Sequence, residues 1–360
     1  ALASRLGIDK VLASRFLKAV RAGDPMSAGH RMPGPEPLRR VLDGLESQGV
    51  SATALANARQ AVDRFESLIV HDVGDRAALE AIVSSWVPEA RREFESRRKQ
   101  SAFRAMSQLK GAEARTIMGT VMLHPSPDGE HLDVLWLNGW IGLQRLRPGA
   151  GVKVATRRMS RDSGKRTPQT LDGTPVNDLE SLLLKEFCSS PMPALRVHHS
   201  DEVVHYLLGG DGFGPSSAQD VVFAEASPAD INRYRAQGST RKTYVFAETS
   251  VPAAVMQFDA IVHKDVFTGS TPTLRVYDTA FEGVAGANDP SRDIDILDLS
   301  ESVEPMGQGL ARFRSGDVPR YAELLRMACE KLSWDPASFV GYRARIEYPV
   351  YGSQATMLFD

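Results

Sequence analysis

The sequence predicts an α+β protein, an all-helical domain over residues 1–110 followed by a larger mixed α+β domain over residues 111–360. Three observations carry this. Before Gly111, apolar residues recur at spacings of three and four, the period of a helix with one buried face. Beyond it, short runs rich in Val, Ile, Leu and Trp take over, some with the period of two of a strand. The two textures do not alternate, and helices followed mostly by strands imply an all-α unit joined to an α+β unit.

Leu38–Gln48, Thr53–Val70, Arg76–Trp86 and Glu89–Leu109 read as helices, and in the second Leu55, Val62, Phe65 and Ile69 share one stripe. Gly23-Asp24-Pro25 and Pro33-Gly34-Pro35 mark boundaries, Ser51 and Asp75 are N-cap candidates, and Pro88 suits a first helical turn. Thr116–Leu123, Leu132–Leu137 and Gly151–Thr156 read as strands. Trp136 and Trp140 flank Asn138-Gly139, the signature of a hairpin turn. The polar stretch 157–177 reads as a long mobile loop, where the larger domain could subdivide. Asn177-Asp178 then caps a helix running to Phe187.

Strands follow at Val203–Leu208, Val221–Ala224, Thr243–Glu248, Ala254–His263, Thr273–Tyr277, Ile294–Leu299 and Tyr342–Val350. A last helix, Val318–Leu332, starts after Asp317. In Ala254–His263, Met256, Phe258, Ala260 and Val262 alternate with Gln257, Asp259, Ile261 and His263, as in a half-buried strand with one exposed face. No internal repeat of fixed period is present.

Composition bounds the function. A chain of 360 residues that is 42% hydrophobic and 24% charged has ordinary globular usage. Its net charge of −2 gives no overall field to attract nucleic acid or an anionic membrane, so such affinity must come from a local patch. No apolar run approaches the roughly 18–20 residues that span a bilayer. The start lacks the pattern of a signal peptide, although it opens at Ala1 without a Met and inside a motif, which leaves upstream residues open. The two cysteines, Cys188 and Cys329, lie in helical-looking apolar segments. They read as reduced buried thiols of a cytoplasmic protein rather than as a disulfide.

One motif carries functional information. Residues 1–22 read ALASRLGIDKVLASRFLKAVRA. A small residue stands at Ala3, a glycine suited to a turn at Gly7 and a small apolar residue at Ala13. Leu2, Leu6, Ile8, Leu12, Phe16 and Val20 supply a packing face, and Asp9 can cap the second helix. The segment resembles the helix-turn-helix of bacterial transcriptional regulators, with Ala13 where Val or Ile is usual. The likeness covers 22 of 360 residues.

The resemblance implies that the second helix enters the major groove of double-stranded DNA. Lys10, Ser14 and Arg15 would then approach base edges while Arg5, Lys18 and Arg21 favour phosphates. It implies a homodimer spanning adjacent grooves about 34 Å apart, with a C-terminal domain that senses a small-molecule effector or mediates self-association. It brings no catalytic residue, cofactor or metal. Local charge agrees: residues 1–40 hold eight Lys or Arg against three acids. Two other classes stay open, an enzyme housed in the C-terminal domain and a non-catalytic interaction module that uses the helix pair on protein.

Other candidates are weaker. Arg91, Arg92, Arg97, Arg98, Lys99 and Arg104 read as a solvated helix face paired with Glu93 and Glu95, with a supporting phosphate contact as the alternative. His198, His199, Asp201 and His205 are the densest ligand cluster, but His198 and His199 alternate across a strand and no cysteine has zinc spacing. Gly209–Gly214 reads as a flexible loop. Ser163–Thr167 lacks the first glycine of a phosphate loop, Met159 standing there, and has Arg166 at the hydroxyl position. Asp259, His263 and Asp265 could form an acid-base set on one strand face, against the plainer reading of an exposed surface.

Overall fold

The computed structural model describes residues 2–158, 168–176, 178–200 and 203–360. The chain divides into two compact units, Ala1–Arg98 and Lys99–Asp360. The first is helical: α1 (Leu2–Leu6), α2 (Lys10–Val20), α3 (Pro25–Arg31), α4 (Pro35–Ser47), α5 (Ala52–Ser67), α6 (Arg76–Ser84) and α7 (Pro88–Lys110), within which the division falls. The predicted caps hold. Asp9, Ser51 and Asp75 accept hydrogen bonds from the N–H groups of Leu12 (2.8 Å), Ala54 (3.3 Å) and Ala78 (2.8 Å). Gly23-Asp24-Pro25 is more than a boundary. Asp24 accepts from Ser27 N–H at 2.9 Å and Pro25 enters the first turn, so a helix absent from the sequence reading begins there. The helix expected to reach Val70 leaves α geometry after Ser67 and widens into a π turn, Leu68–Val73, that ends at Gly74.

Packing in this unit follows the predicted stripes except at Val20, expected on the packing face of α2 but 61% exposed. Leu6, Leu12 and Val41 form one cluster; Leu38, Leu42 and Val62 form a second, with Phe16 and Leu45 touching both. Ile69, Leu79, Val83, Val87 and Ala90 form a third. Helices α1 and α4 meet at Gly44, where a Cβ would stand 2.9 Å from the Cβ of Leu6, so only glycine permits that approach.

The second unit contains β1 (Ala112–Pro125), β2 (His131–Arg145), β3 (Lys153–Arg158), β4 (Leu195–Ser200), β5 (Val203–Leu208) and β6 (Gln219–Asn232). It continues with β7 (Thr243–Glu248), β8 (Ala253–His263), β9 (Thr273–Asp278), β10 (Glu304–Gln308), α8 (Tyr321–Leu332), β11 (Phe339–Glu347) and β12 (Ser353–Phe359). Six strands make a central sheet in the order β10-β11-β8-β1-β2-β6, with β1 and β8 parallel and the other neighbours antiparallel. Helix α8 covers one face through Tyr321, Leu324, Leu325, Ala328 and Cys329, packed on Met118, Met122, Leu135 and Ile261. The opposite face, with Ile117, Val121, Phe258 and Ala260, packs on residues of two small sheets, β7-β12-β9 and β3-β5-β4. Both thiols are free. Among the described residues, no helix is long and apolar enough to cross a membrane.

Several expectations are corrected. Asn138-Gly139 is not a turn but the middle of β2, paired with Gly119 and Met118. Gly139 is there because a Cβ would meet the Val221 carbonyl oxygen at 3.0 Å. The hairpin turns instead at Ser126–Glu130, with Gly129 in the left-handed region. The helix expected over 178–187 is two 3₁₀ turns, Glu180–Leu182 and Lys185–Phe187. They are split at Leu183, which bridges Phe223, so Cys188 follows a turn rather than lying in a helix. Ile294–Leu299 is not a strand: a 3₁₀ turn occupies Pro290–Asp295 and a single bridge joins Ile296 to Tyr277. The last helix starts at Tyr321, after a left-handed Arg320, and Asp317 pairs with Arg345 instead of capping it. Of the loop expected to be mobile, residues 159–167 and 177 lie outside the described residues. The described part is tied to β6 by reciprocal hydrogen bonds between Gln169 and Ala226, 2.7 and 2.9 Å.

Candidate nucleic-acid interface

The site predicted from sequence is built on two short helices. Gly7 takes φ +66° between them, and Ile8 N–H returns to the Ala3 carbonyl at 3.1 Å. Asp9 then starts α2 with its carboxylate on Leu12 N–H. The inward face of α2 buries Leu12, Ala13 and Ala19. That burial fixes the rotation of the helix and turns Lys10, Val11, Ser14, Arg15 and Lys18 outward, at positions that fall on one side of a 3.6-residue period.

All six predicted contact residues, Arg5, Lys10, Ser14, Arg15, Lys18 and Arg21, are exposed. The structure does not bring all of them together. Lys10, Ser14, Arg15 and Lys18 line one open cleft of about 730 Å³, while Arg5 and Arg21 lie outside its lining. The further walls of the cleft are His30 and Arg31 at the end of α3 and Glu89, Glu93 and Arg97 on α7. Arg15 is oriented by a hydrogen bond from its Nε to the Arg31 carbonyl, 3.2 Å. Among the described residues, no ion pair joins Lys10, Arg15 or Lys18 to a carboxylate. Glu93 instead faces Arg97 at 3.0 Å and His30 at 3.6 Å.

Sequence reasoning assigns Arg31 no role at this site and gives Arg97 a phosphate contact only as an alternative. Arg97 reads as part of a separate solvated helix face, and its pairs with Glu93 and Glu80 agree with that. Nothing in the sequence places α7 opposite α2. Behind Arg15 and Arg97 lies Arg76, which donates to the Met32 carbonyl at 3.1 Å and faces Glu80 at 3.4 Å, while its buried Nη1 has no partner. Burial pushes the Arg76 guanidinium below its ordinary pKa, with the charges of Arg15 and Arg97 acting in the same direction.

The acid-base candidates of the second unit are not assembled as a set. Asp259 is not on an exposed face: it is fully buried because α8 and the loop before it cover that side of β8. Its carboxylate accepts from Arg343 (2.8 and 2.6 Å), the Tyr321 hydroxyl (2.6 Å) and Gln257 (3.1 Å). Burial and the neighbouring Asp259 charge push the Tyr321 hydroxyl well above its ordinary pKa. Burial alone would lower Arg343, but the pair with Asp259 raises it. A network satisfied in this way holds structure and leaves no oxygen of Asp259 for chemistry. His263 lies instead beside Asp265, at 3.7 Å, and beside His124, with ring centroids 5.0 Å apart. His124 stacks on Trp334.

His198 and His205 stack across β4 and β5 at 6.3 Å, whereas Asp201 of the same cluster lies outside the described residues. So do Met159 and Ser163–Thr167. Among the described residues, no group of three or more His, Cys, Asp or Glu could hold a metal ion.

No family model matches the sequence, and no curated protein matches it. A solved structure from Parabacteroides distasonis ATCC 8503, described as a candidate protease, aligns with 69% of this chain at 8% identity and a TM-score of 0.27. This chain spans 40% of that protein's length, and a likeness of that degree carries no argument.

Proposed function

We propose that the protein is a DNA-binding transcriptional regulator that uses α1 and α2 as a helix-turn-helix, with α2 as the recognition helix. The observation that supports it best is the outward stripe of α2. There Lys10, Arg15 and Lys18 stand exposed, without carboxylate partners among the described residues, on a helix held by its cap and its buried face. Cations left uncompensated in this way release counterions when they meet phosphates. On this reading Lys10, Ser14 and Arg15 address base edges, and Arg5, Lys18 and Arg21 hold the backbone. The working form is a cytoplasmic homodimer, and the larger unit serves effector sensing or self-association.

The test is fluorescence anisotropy with a random-sequence duplex at 50 and 200 mM salt. The wild-type chain should bind and lose affinity steeply as salt rises. An Arg15→Ala/Lys18→Ala variant should bind at least about tenfold more weakly, with a salt slope shallower by about one, the share of the Lys18 phosphate contact. Binding that ignores salt, or a double variant that binds like wild type, would remove the reading.

A further inference from the structure

We propose that the cleft between α2, α3 and α7 is a binding site for a small nucleotide-type phosphate ester, a ligand anionic at one end and bearing hydroxyl or amino hydrogens at the other. Size is the first argument. A cleft of about 730 Å³ falls within the range of small-molecule sites, roughly 300–1,000 Å³, and far exceeds the needs of a bare inorganic ion.

Charge is the second. Three separate helices deliver cations to one concavity: Lys10, Arg15 and Lys18 from α2, Arg31 from α3 and Arg97 from α7. Glu89 and Glu93 share the lining, but the five cations outnumber them and leave the concavity with a net positive field for an anion. Guanidinium groups match phosphate oxygens in pairs, and Lys adds a compact charge. Arg76 stands behind Arg15 and Arg97 with a buried Nη1 that has no acceptor; Glu80 and Glu93 offset Arg76 and Arg97, while among the described residues no carboxylate pairs with Lys10, Arg15 or Lys18. The third argument is polarity. Glu89 sits in the same lining and can accept hydrogen bonds from a sugar hydroxyl or an exocyclic amine, which a purely cationic patch could not do. Val11, 77% exposed, adds a small apolar surface to the lining.

Binding in the cleft is independent of the regulator reading. Its consequence rests on that reading: because Lys10, Arg15 and Lys18 serve both ligands, a bound nucleotide and a duplex should exclude one another.

Isothermal titration of the full chain with ADP, inorganic phosphate and adenosine tests this. ADP should bind saturably at one site, with phosphate and adenosine each at least tenfold weaker. Arg31→Ala and Arg97→Ala, both off the recognition helix, should each weaken ADP at least tenfold. Glu89→Ala, which removes an acceptor that ADP can use and phosphate does not need, should lower the affinity for ADP relative to that for phosphate. Arg31 is exposed and its backbone carbonyl is unaltered by the substitution, so that variant keeps the Arg15 contact; an unchanged unfolding midpoint checks it. No saturable ADP binding, or ADP binding indifferent to both arginine variants, overturns the proposal. Duplex binding without ADP binding would refute the cleft ligand and spare the regulator reading; ADP binding without duplex binding would do the reverse. With both present, ADP should raise the duplex Kd in proportion to its own occupancy.

Discussion

His124 and His263 show how burial changes what a single side chain does. Both imidazoles lie below their ordinary pKa, chiefly through desolvation, and His263 also through the neighbouring His124; Asp133 and Asp265 pull upward, Arg233 and Lys264 downward. The folded chain therefore resists a proton that the unfolded chain accepts near pH 6.5. Unfolding takes up protons in that window. The stability is thus complete above about pH 6.5 and declines as pH falls below it toward the folded values. Urea midpoints measured from pH 7.5 to 5 should drop, and a His124→Phe/His263→Phe variant should drop less. An equal slope in both chains would count against this account. Neither histidine's environment is legible in the sequence, and nor is that of Asp259. Alternation in Ala254–His263 identifies a strand and its two sides, but not that α8 covers one side and small sheets the other. The caps were legible because Asp9, Ser51 and Asp75 act within three residues of themselves.

At the level of elements, the helix pair that presents α2 depends on how closely α1 can approach α4. Gly44→Ala would place a Cβ against the Leu6 carbonyl and 2.9 Å from its Cβ, both parts of the backbone or close to it, so the crossing must open. Overpacking of this kind costs about 1–3 kcal/mol. The variant should unfold earlier and bind the random duplex more weakly although no cation has changed. Full duplex affinity together with a wild-type midpoint would show that the crossing is slack. Long periodic helices were readable in advance, since a stripe such as Leu55, Val62 and Ile69 repeats its signal. Short elements were not. The stretch 178–187 has helical caps and apolar residues, yet Leu184 N–H bonds to Val222 at 2.9 Å and breaks it into two turns. Asn138-Gly139 has the chemistry of a turn, but the long ladder from β1 to β2 runs through it.

For the whole molecule, the division after Arg98 separates the proposed DNA contacts from the Asp259 network. Asp259→Ala takes the carboxylate away from Arg343 and the buried Tyr321 hydroxyl, leaving Arg343 the Arg314 carbonyl and Tyr321 the Thr120 hydroxyl. Breaking a buried pair from one side costs about 3–5 kcal/mol. The larger unit should lose that much in urea unfolding, while duplex affinity under native conditions stays unchanged; a parallel loss of affinity would tie the two units together. The parallel pairing of β1 with β8 has a consequence for how the chain is made. Leu123 meets Val262, a partner synthesised about 140 residues later. At about 5–20 residues per second, the growing polypeptide waits roughly 7–28 s for that partner to leave the ribosome. Throughout that delay the hairpin carries Ile117, Val121 and Leu123 without the cover of Phe258, Ala260 and Val262. The helical segment ahead of it, built from contacts near in sequence, can condense at once. The stage of biogenesis most dependent on chaperones therefore falls in the middle of translation, on the strands rather than on the helices.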